Sequence, residues 1–240
     1  MSLERLGLLP LTLLDYPGEV AATLFTYGCN LRCPYCHNAN LVEGGIPEDF
    51  LLREEVLAFL DKRKNLLSGV CITGGEPLLH PDLRQLLLEI RGRGYKIKLD
   101  TNGGFPERLG PLLEEGIVDY VAMDVKMAPE RYREIGGSEK EEQKIRESIE
   151  ILGRYMGSPK IEFRTTVVPG LFDEEDLKRI VALLPAGARY SLGAFRGGET
   201  LDPAYRSVAS PALERLEAMK AIADAAGLEC SVRAAGAALV

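Results

Sequence analysis

Six short runs of β-branched and other apolar residues recur along the chain, with a longer stretch of helical spacing between most neighbours. The runs are VAATLFTY from Val20, GVCIT from Gly69, YKIKLD from Tyr95, DYVAMD from Asp119, KIEFRTTVV from Lys160 and ARYSLGAF from Ala188. Intervening stretches such as PDLRQLLLEIRGRG and DEEDLKRIVALLP repeat their apolar residues three and four apart, as an amphipathic helix does. Strands that far apart in sequence join in parallel through crossover helices, so an α/β barrel or an open α/β sheet follows. Helix ends agree with this register: Pro81-Asp82 opens one helix, Asp173 caps another, and RGRG and EEG end two with glycine. No internal repeat or linker interrupts the 240 residues, which predicts one domain over 1–240, with a core at about 15–196 and a C-terminal helical segment and tail at 197–240.

A net charge of -7 without any block of lysine or arginine excludes nucleic acid as the main partner. No apolar run reaches the ~18 residues needed to cross a bilayer, and the N-terminal MSLERLGLLPLTLL lacks the marks of a secretory signal. The expected location is the cytoplasm, with no membrane partner. Ligands of α/β folds bind where strands end, so the strand-end residues Gly74-Gly75-Glu76, Asp100-Thr101-Asn102, Asp124-Val125-Lys126 and Phe195-Arg196 read as one rim.

Onto the same rim the first strand delivers YGCNLRCPYCHN, with Cys29, Cys33 and Cys36 spaced C-x3-C-x2-C. Five cysteines, three of them bunched, make a poor disulfide framework. Structural zinc wants a fourth ligand, yet the only histidines are His37 and His80, and Cys71 and Cys230 form no second pair. Three thiolates instead suit a four-iron cluster that keeps one iron open.

The cysteine spacing followed by GGEP at Gly74 to Pro77 resembles the signature of the radical S-adenosylmethionine (SAM) superfamily, a likeness running from about Asp15 to Arg196. CHN at Cys36, DTNG at Asp100, DVK at Asp124 and VVPG at Val167 are similar to the glycyl-radical-enzyme activases, of which pyruvate formate-lyase activating enzyme is the best known. The entry segment LTLLDYPGEVAATLFTYGCNLRCPYCHNANLV and the late FRGGETLDP look most like the anaerobic ribonucleoside-triphosphate reductase activating proteins.

The resemblance implies a partial (β/α)6 barrel of the TIM type and a [4Fe-4S] cluster on Cys29, Cys33 and Cys36. It also implies SAM as the second cofactor, cleaved reductively to a radical that takes hydrogen from a glycine of a large partner enzyme. Flavodoxin or ferredoxin is the implied electron donor. Gly74 and Gly75 leave room for the methionine part of SAM, and Glu76 accepts from its ammonium. Lys126 and Arg164 meet a carboxylate or ribose, Tyr35 faces adenine, and Asn102 belongs to the same binding set. Asp100, Thr101 and Asp124 are implied ligands of a monovalent cation, and Asp15 is implied to lie near the partner's glycine loop. The histidine that approaches adenine in formate-lyase activators is replaced here around Phe195-Arg196. The alternatives are another glycyl radical enzyme of the formate-lyase type, a small-molecule substrate, or a zinc-binding module without catalysis. Cys71 and Cys230 read as inert, His80 as a capping or surface residue, and His37 as a neighbour of the cluster.

Overall fold

A computed structural model describes residues 2–43 and 45–233. A nine-stranded sheet runs in the order β3-β1-β2-β4-β5-β6-β7-β8-β9. The six expected strands are β2 (Ala21–Thr26), β4 (Gly69–Gly74), β5 (Lys96–Thr101), β6 (Tyr120–Asp124), β7 (Lys160–Val167) and β8 (Arg189–Ala194). All pair in parallel, and β9 (Glu229–Arg233) extends them on the β8 side. Because β3 and β9 stand at opposite ends of the order, the barrel is partial.

Two strands were not legible as strands. β1 (Arg5–Thr12) pairs antiparallel with β2, and β3 (Leu51–Leu52) pairs with β1. The β1 sequence RLGLLPLT carries a glycine and a proline and no alternation, so local propensity argues against it. A register shift between Leu9 and Thr12 absorbs Pro10, the position where an absent N–H costs least.

Helices cover the outer face. They are α1 (Ala39–Glu43), α2 (Arg53–Arg63), α3 (Leu83–Arg91), α4 (Pro106–Glu114), α5 (Glu141–Arg154), α6 (Glu174–Val181) and α7 (Leu213–Ala225). In α3 the buried residues are Leu83, Leu86, Leu87 and Ile90, one stripe at helical spacing, and truncating Leu86 to alanine would cost roughly 2–5 kcal/mol. Asp173 caps α6 by accepting from the Glu175 and Asp176 amides, both at 2.9 Å. Asp82 precedes α3 but does not cap it; its carboxylate turns to the Leu3 amide at 2.9 Å and ties down the N-terminal strand.

Alternation along the strands sorts two environments. Val70, Ile72, Ile97, Leu99, Val121, Met123 and Phe163 join the large core under the helices. Their neighbours Cys71, Lys98, Asp100, Asp124, Glu162 and Arg164 point the other way, into the barrel, where Tyr16, Ala21, Tyr120 and Ala122 form a small apolar floor. A polar barrel interior gives no hydrophobic stabilisation, so its side chains are kept for another reason.

Candidate active site

The loop leaving β2 turns at Gly28, whose φ is 78°. Chain from both flanks braces it. On one side the Arg32 amide donates to the Ile135 carbonyl at 2.7 Å, and the Arg32 guanidinium donates to the Cys29 carbonyl at 2.7 Å. On the other, the Leu201 and Asp202 amides donate to the Cys36 and Pro34 carbonyls at 2.9 and 2.8 Å. His37 stacks on Phe195 with ring centres 5.6 Å apart and places Nδ1 2.8 Å from the Glu199 carbonyl. The FRGGETLDP segment is therefore a strap across the cysteine loop.

Cys29, Cys33 and Cys36 line one cavity of about 230 Å³. Burial pushes the Cys33 thiol up to about 12 and the Cys29 thiol up to about 11, against a pull downward from the Lys126 ammonium on both. Free, these thiols hold their protons at neutral pH, and a metal that binds them must displace those protons. The Leu31 amide lies 3.4 Å from the Cys29 sulfur and the Asn102 amide nitrogen 3.7 Å from it, donors suited to a thiolate. The Tyr35 hydroxyl is buried with no hydrogen-bond partner, and after burial itself the Cys33 sulfur is the neighbour that perturbs it most. Among the described residues, no three Cys, His, Asp or Glu side chains are grouped to hold a single metal ion. His80 Nε2 is engaged 2.7 Å from the Tyr27 carbonyl, Cys71 lies in the barrel beside Lys98, and Cys230 lies on β9. The donor set thus suits a cluster wider than one ion, held by three thiolates with no fourth side chain.

Gly74 and Gly75 line the same cavity, for a reason the sequence did not reveal. A Cβ on Gly74 would lie 2.4 Å from the Thr26 backbone, and one on Gly75 would lie 2.0 Å from the Gly28 carbonyl oxygen. The pair lets the loop after β4 press against the cysteine loop. Glu76 then plugs the seam. Fully buried, its carboxylate accepts from Thr101 Oγ1 at 2.8 Å and from the Asn102 and Leu78 amides at 2.7 and 3.0 Å. Burial raises its carboxyl to about 7, with these three donors opposing the rise.

Asp100, Thr101, Asn102, Asp124 and Lys126 complete the cavity wall with Tyr35 and Phe195. Arg164 stands beneath it. Its Nε donates to Asp124 at 2.7 Å and its Nη2 lies 3.2 Å from Asp100, while Lys126 donates to the other Asp124 oxygen at 2.9 Å. Lys98, absent from the expected set, pairs with the remaining Asp100 oxygen. Burial alone would raise the Asp124 carboxyl, but Arg164 and Lys126 hold it well below the usual carboxylate range. Three cations bind two carboxylates, so this array carries one surplus positive charge. Glu162, in the same interior, is matched by Arg233 at 2.5 Å and by the Tyr120 hydroxyl.

A second cavity of about 120 Å³ opens on the other side of Asp100, lined by Leu14, Asp15, Lys98, Glu162, Arg164 and Arg233. Asp15 thus lies apart from the cysteines, its carboxylate accepting from Thr23 Oγ1 at 2.5 Å. Lys98 and Glu162 were missed because they lie inside strands rather than at strand ends, and Arg233 because it lies in the segment expected to be tail. The signal was the two-residue spacing of Lys98-Asp100 and Glu162-Arg164, which puts each pair on one strand face.

The array does not fit the implied monovalent cation. All four oxygens of Asp100 and Asp124 already face cationic side chains, and Thr101 Oγ1 is spent on Glu76 and on the Gly103 amide at 3.1 Å. A further cation on these oxygens would have to share them with the Lys98, Arg164 and Lys126 charges, which repel it. A ligand with one carboxylate fits the surplus charge.

A partial parallel barrel with three thiols and an ionic wall around one cavity defines a metal-cluster enzyme site of the α/β barrel class. Residues 23–184 match the radical SAM superfamily. A protein of Methanocaldococcus jannaschii named for glycyl-radical enzyme activation is 30% identical over 225 residues, 90% of each chain. The pyruvate formate-lyase 1-activating enzyme of Escherichia coli K12 is 31% identical over 173 residues, 68% of this chain and 66% of that one. A solved radical SAM methyltransferase from Sphaerobacter thermophilus shares the fold, with a TM-score of 0.69 at 18% identity over 92% of this chain and 68% of that one. The chain belongs to the radical SAM superfamily, whose chemistry uses a [4Fe-4S] cluster and SAM.

Proposed function

We propose that the chain is a glycyl-radical-enzyme activase, with anaerobic ribonucleoside-triphosphate reductase as its partner. The observation that carries this reading is the convergence of Cys29, Cys33 and Cys36 with Glu76, Asp124 and Lys126 on one cavity, in a chain with one relative named for glycyl-radical enzyme activation and another for pyruvate formate-lyase activation. The three thiolates hold the cluster. The surplus positive charge of the Lys126, Arg164 and Lys98 array receives the SAM carboxylate, with Asp100 and Asp124 fixing those cations. Asn102 and the Gly74-Gly75 backbone flank the methionine part, Glu76 holds the two rim loops together beside its ammonium, and Tyr35 with Phe195 walls the adenine. When bound, the cluster would relay one electron to SAM, whose cleavage would supply the 5'-deoxyadenosyl radical that removes a hydrogen atom. Flavodoxin or ferredoxin supplies the electron in the cytoplasm.

A protein partner is favoured by the surroundings of the second cavity. Asp15 and Leu14 open onto it, and Leu9, Leu11 and Leu13 stand exposed beside them on β1 and the loop that follows, Leu13 to 67%. Exposed leucines on the chain that leads into Asp15 suit a protein contact, and this reading makes it the face that receives the glycine loop of the partner enzyme. The test is anaerobic reduction of the reconstituted protein with SAM and the purified reductase. A glycyl radical signal on the reductase, reduced in an Asp15→Asn or Leu13→Glu variant that still cleaves SAM, is expected. Substrate-dependent deoxyadenosine formation from a small molecule without any partner would overturn the reading, and uptake of zinc without iron would return the non-catalytic module.

A further inference from the structure

The one charged side chain in the middle of β5 is Lys98, and nearly all of it is hidden, 2% of the side chain being exposed. An ammonium this deep persists only where partners replace its water. Its partners are the Asp100 carboxylate, the Cys71 sulfur at 3.7 Å and the face of the Tyr120 ring, 5.6 Å from Nζ to the ring centre. Asp100 lines the cysteine cavity, whereas Lys98 reaches only the second one, so Lys98 acts on the first through Asp100. Of the three residues implied as cation ligands, Asp100 is thereby satisfied from behind by a charge carried on the chain. Asp124 is satisfied by Arg164 and Lys126, and Thr101 by Glu76.

We infer that Lys98 is a tethered substitute for a monovalent cation: it neutralises the wall beneath the SAM carboxylate, and the chain binds SAM without sodium or potassium. This rests on the SAM-binding reading above. The physical consequence is a site whose charge does not vary with the ionic composition of its surroundings. Lys98 is a positioning residue; without its ammonium, the Asp100 carboxylate would face the cavity less compensated and repel a ligand carboxylate. Removing the whole side chain would also leave a polar hollow between Asp100, Cys71 and the Tyr120 ring, open to a free ion.

The experiment measures SAM binding to the anaerobically reconstituted protein by equilibrium dialysis, in potassium, sodium and choline chloride at equal ionic strength. The wild-type dissociation constant is expected to agree among the three salts to within about twofold. Lys98→Ala is expected to bind at least about tenfold more weakly in choline, a step of about 1.4 kcal/mol, and to recover in potassium or sodium. Thermal unfolding of the cluster-free proteins supplies a readout independent of SAM: potassium at constant ionic strength is expected to raise the midpoint of Lys98→Ala and not that of the wild type. Wild-type binding that collapses in choline would overturn the inference, as would a Lys98→Ala protein that binds normally in choline or stays weak in all three salts. Should Lys98→Ala not fold, the wild-type salt comparison decides alone. No SAM binding in any salt would overturn the activase reading and this inference with it.

Discussion

Under the loop after β2, Cys29, Cys33 and Cys36 face one cavity, burial raising the Cys29 thiol to about 11 and the Cys33 thiol to about 12, with amide donors beside the Cys29 sulfur. Across the cavity, on β5, β6 and β7 and just past the end of β6, Lys98, Asp100, Arg164, Asp124 and Lys126 already satisfy one another. The first wall is unfinished until something soft and positively charged draws off its protons. The second is finished, with one positive charge to spare. One fold thus prepares a metal-cluster site and an anion site on one cavity by opposite means: thiols whose burial outweighs their partners on one side, and carboxylates whose partners outweigh their burial on the other.

The largest effect is expected on the unfinished wall. Replacing Cys29, Cys33 or Cys36 by alanine removes one of three ligands with no side chain to take its place, so iron and sulfide uptake and SAM cleavage fall to background while the fold remains. A variant that keeps a full cluster would erase the difference between the walls. On the finished wall, Arg164→Met leaves one oxygen of Asp100 and one of Asp124 without a partner while Lys98 and Lys126 still hold the others, and should cost roughly 1–3 kcal/mol in denaturant unfolding of the cluster-free protein, with part of the loss recovered in Arg164→Met/Asp100→Asn. A loss below about 1 kcal/mol would mean that the array is not interlocked.

Glu76 joins the two walls, and its effect depends on pH. A carboxyl that titrates near 7 when folded and near 4.5 when unfolded holds more protons in the native state between those values. Stability is then fully present below about pH 4.5 and declines as the pH rises towards 7, by at most about 3 kcal/mol. Glu76→Gln should flatten that slope, and an unchanged slope would assign it to other groups. The smallest effect is expected at the strap. His37→Ala removes a ring stacked on Phe195, costing about 1 kcal/mol and speeding loss of the cluster to chelators without changing its iron content.

What the sequence revealed follows the same division. The cysteine spacing was legible because three thiols in one loop have few other uses, and the strand-end glycines and acids, which serve turns and caps elsewhere, were legible beside it. The helix stripe of Leu83, Leu86, Leu87 and Ile90 was legible from spacing alone. β1 was not, since RLGLLPLT has no alternation and a single β-branched residue, Thr12, at its end, and its pairing depends on β2 and a register shift. Lys98 was not, because its role depends on a neighbour on the same strand face and an arginine two strands away. Gly74 and Gly75 were found, but the contact that requires them is with the cysteine loop itself. Residues 234–240, part of the expected C-terminal tail, lie outside the described residues.

The central claim is that the two walls form one site, cluster on one side and SAM carboxylate on the other. The most direct test is electron paramagnetic resonance of the reconstituted, reduced protein before and after SAM is added, in the wild type and in Lys126→Met. The account predicts a [4Fe-4S] signal in both proteins that shifts with SAM in the wild type and is displaced only at much higher SAM in the variant. A cluster signal indifferent to SAM, or a shift that ignores the loss of Lys126, would contradict it.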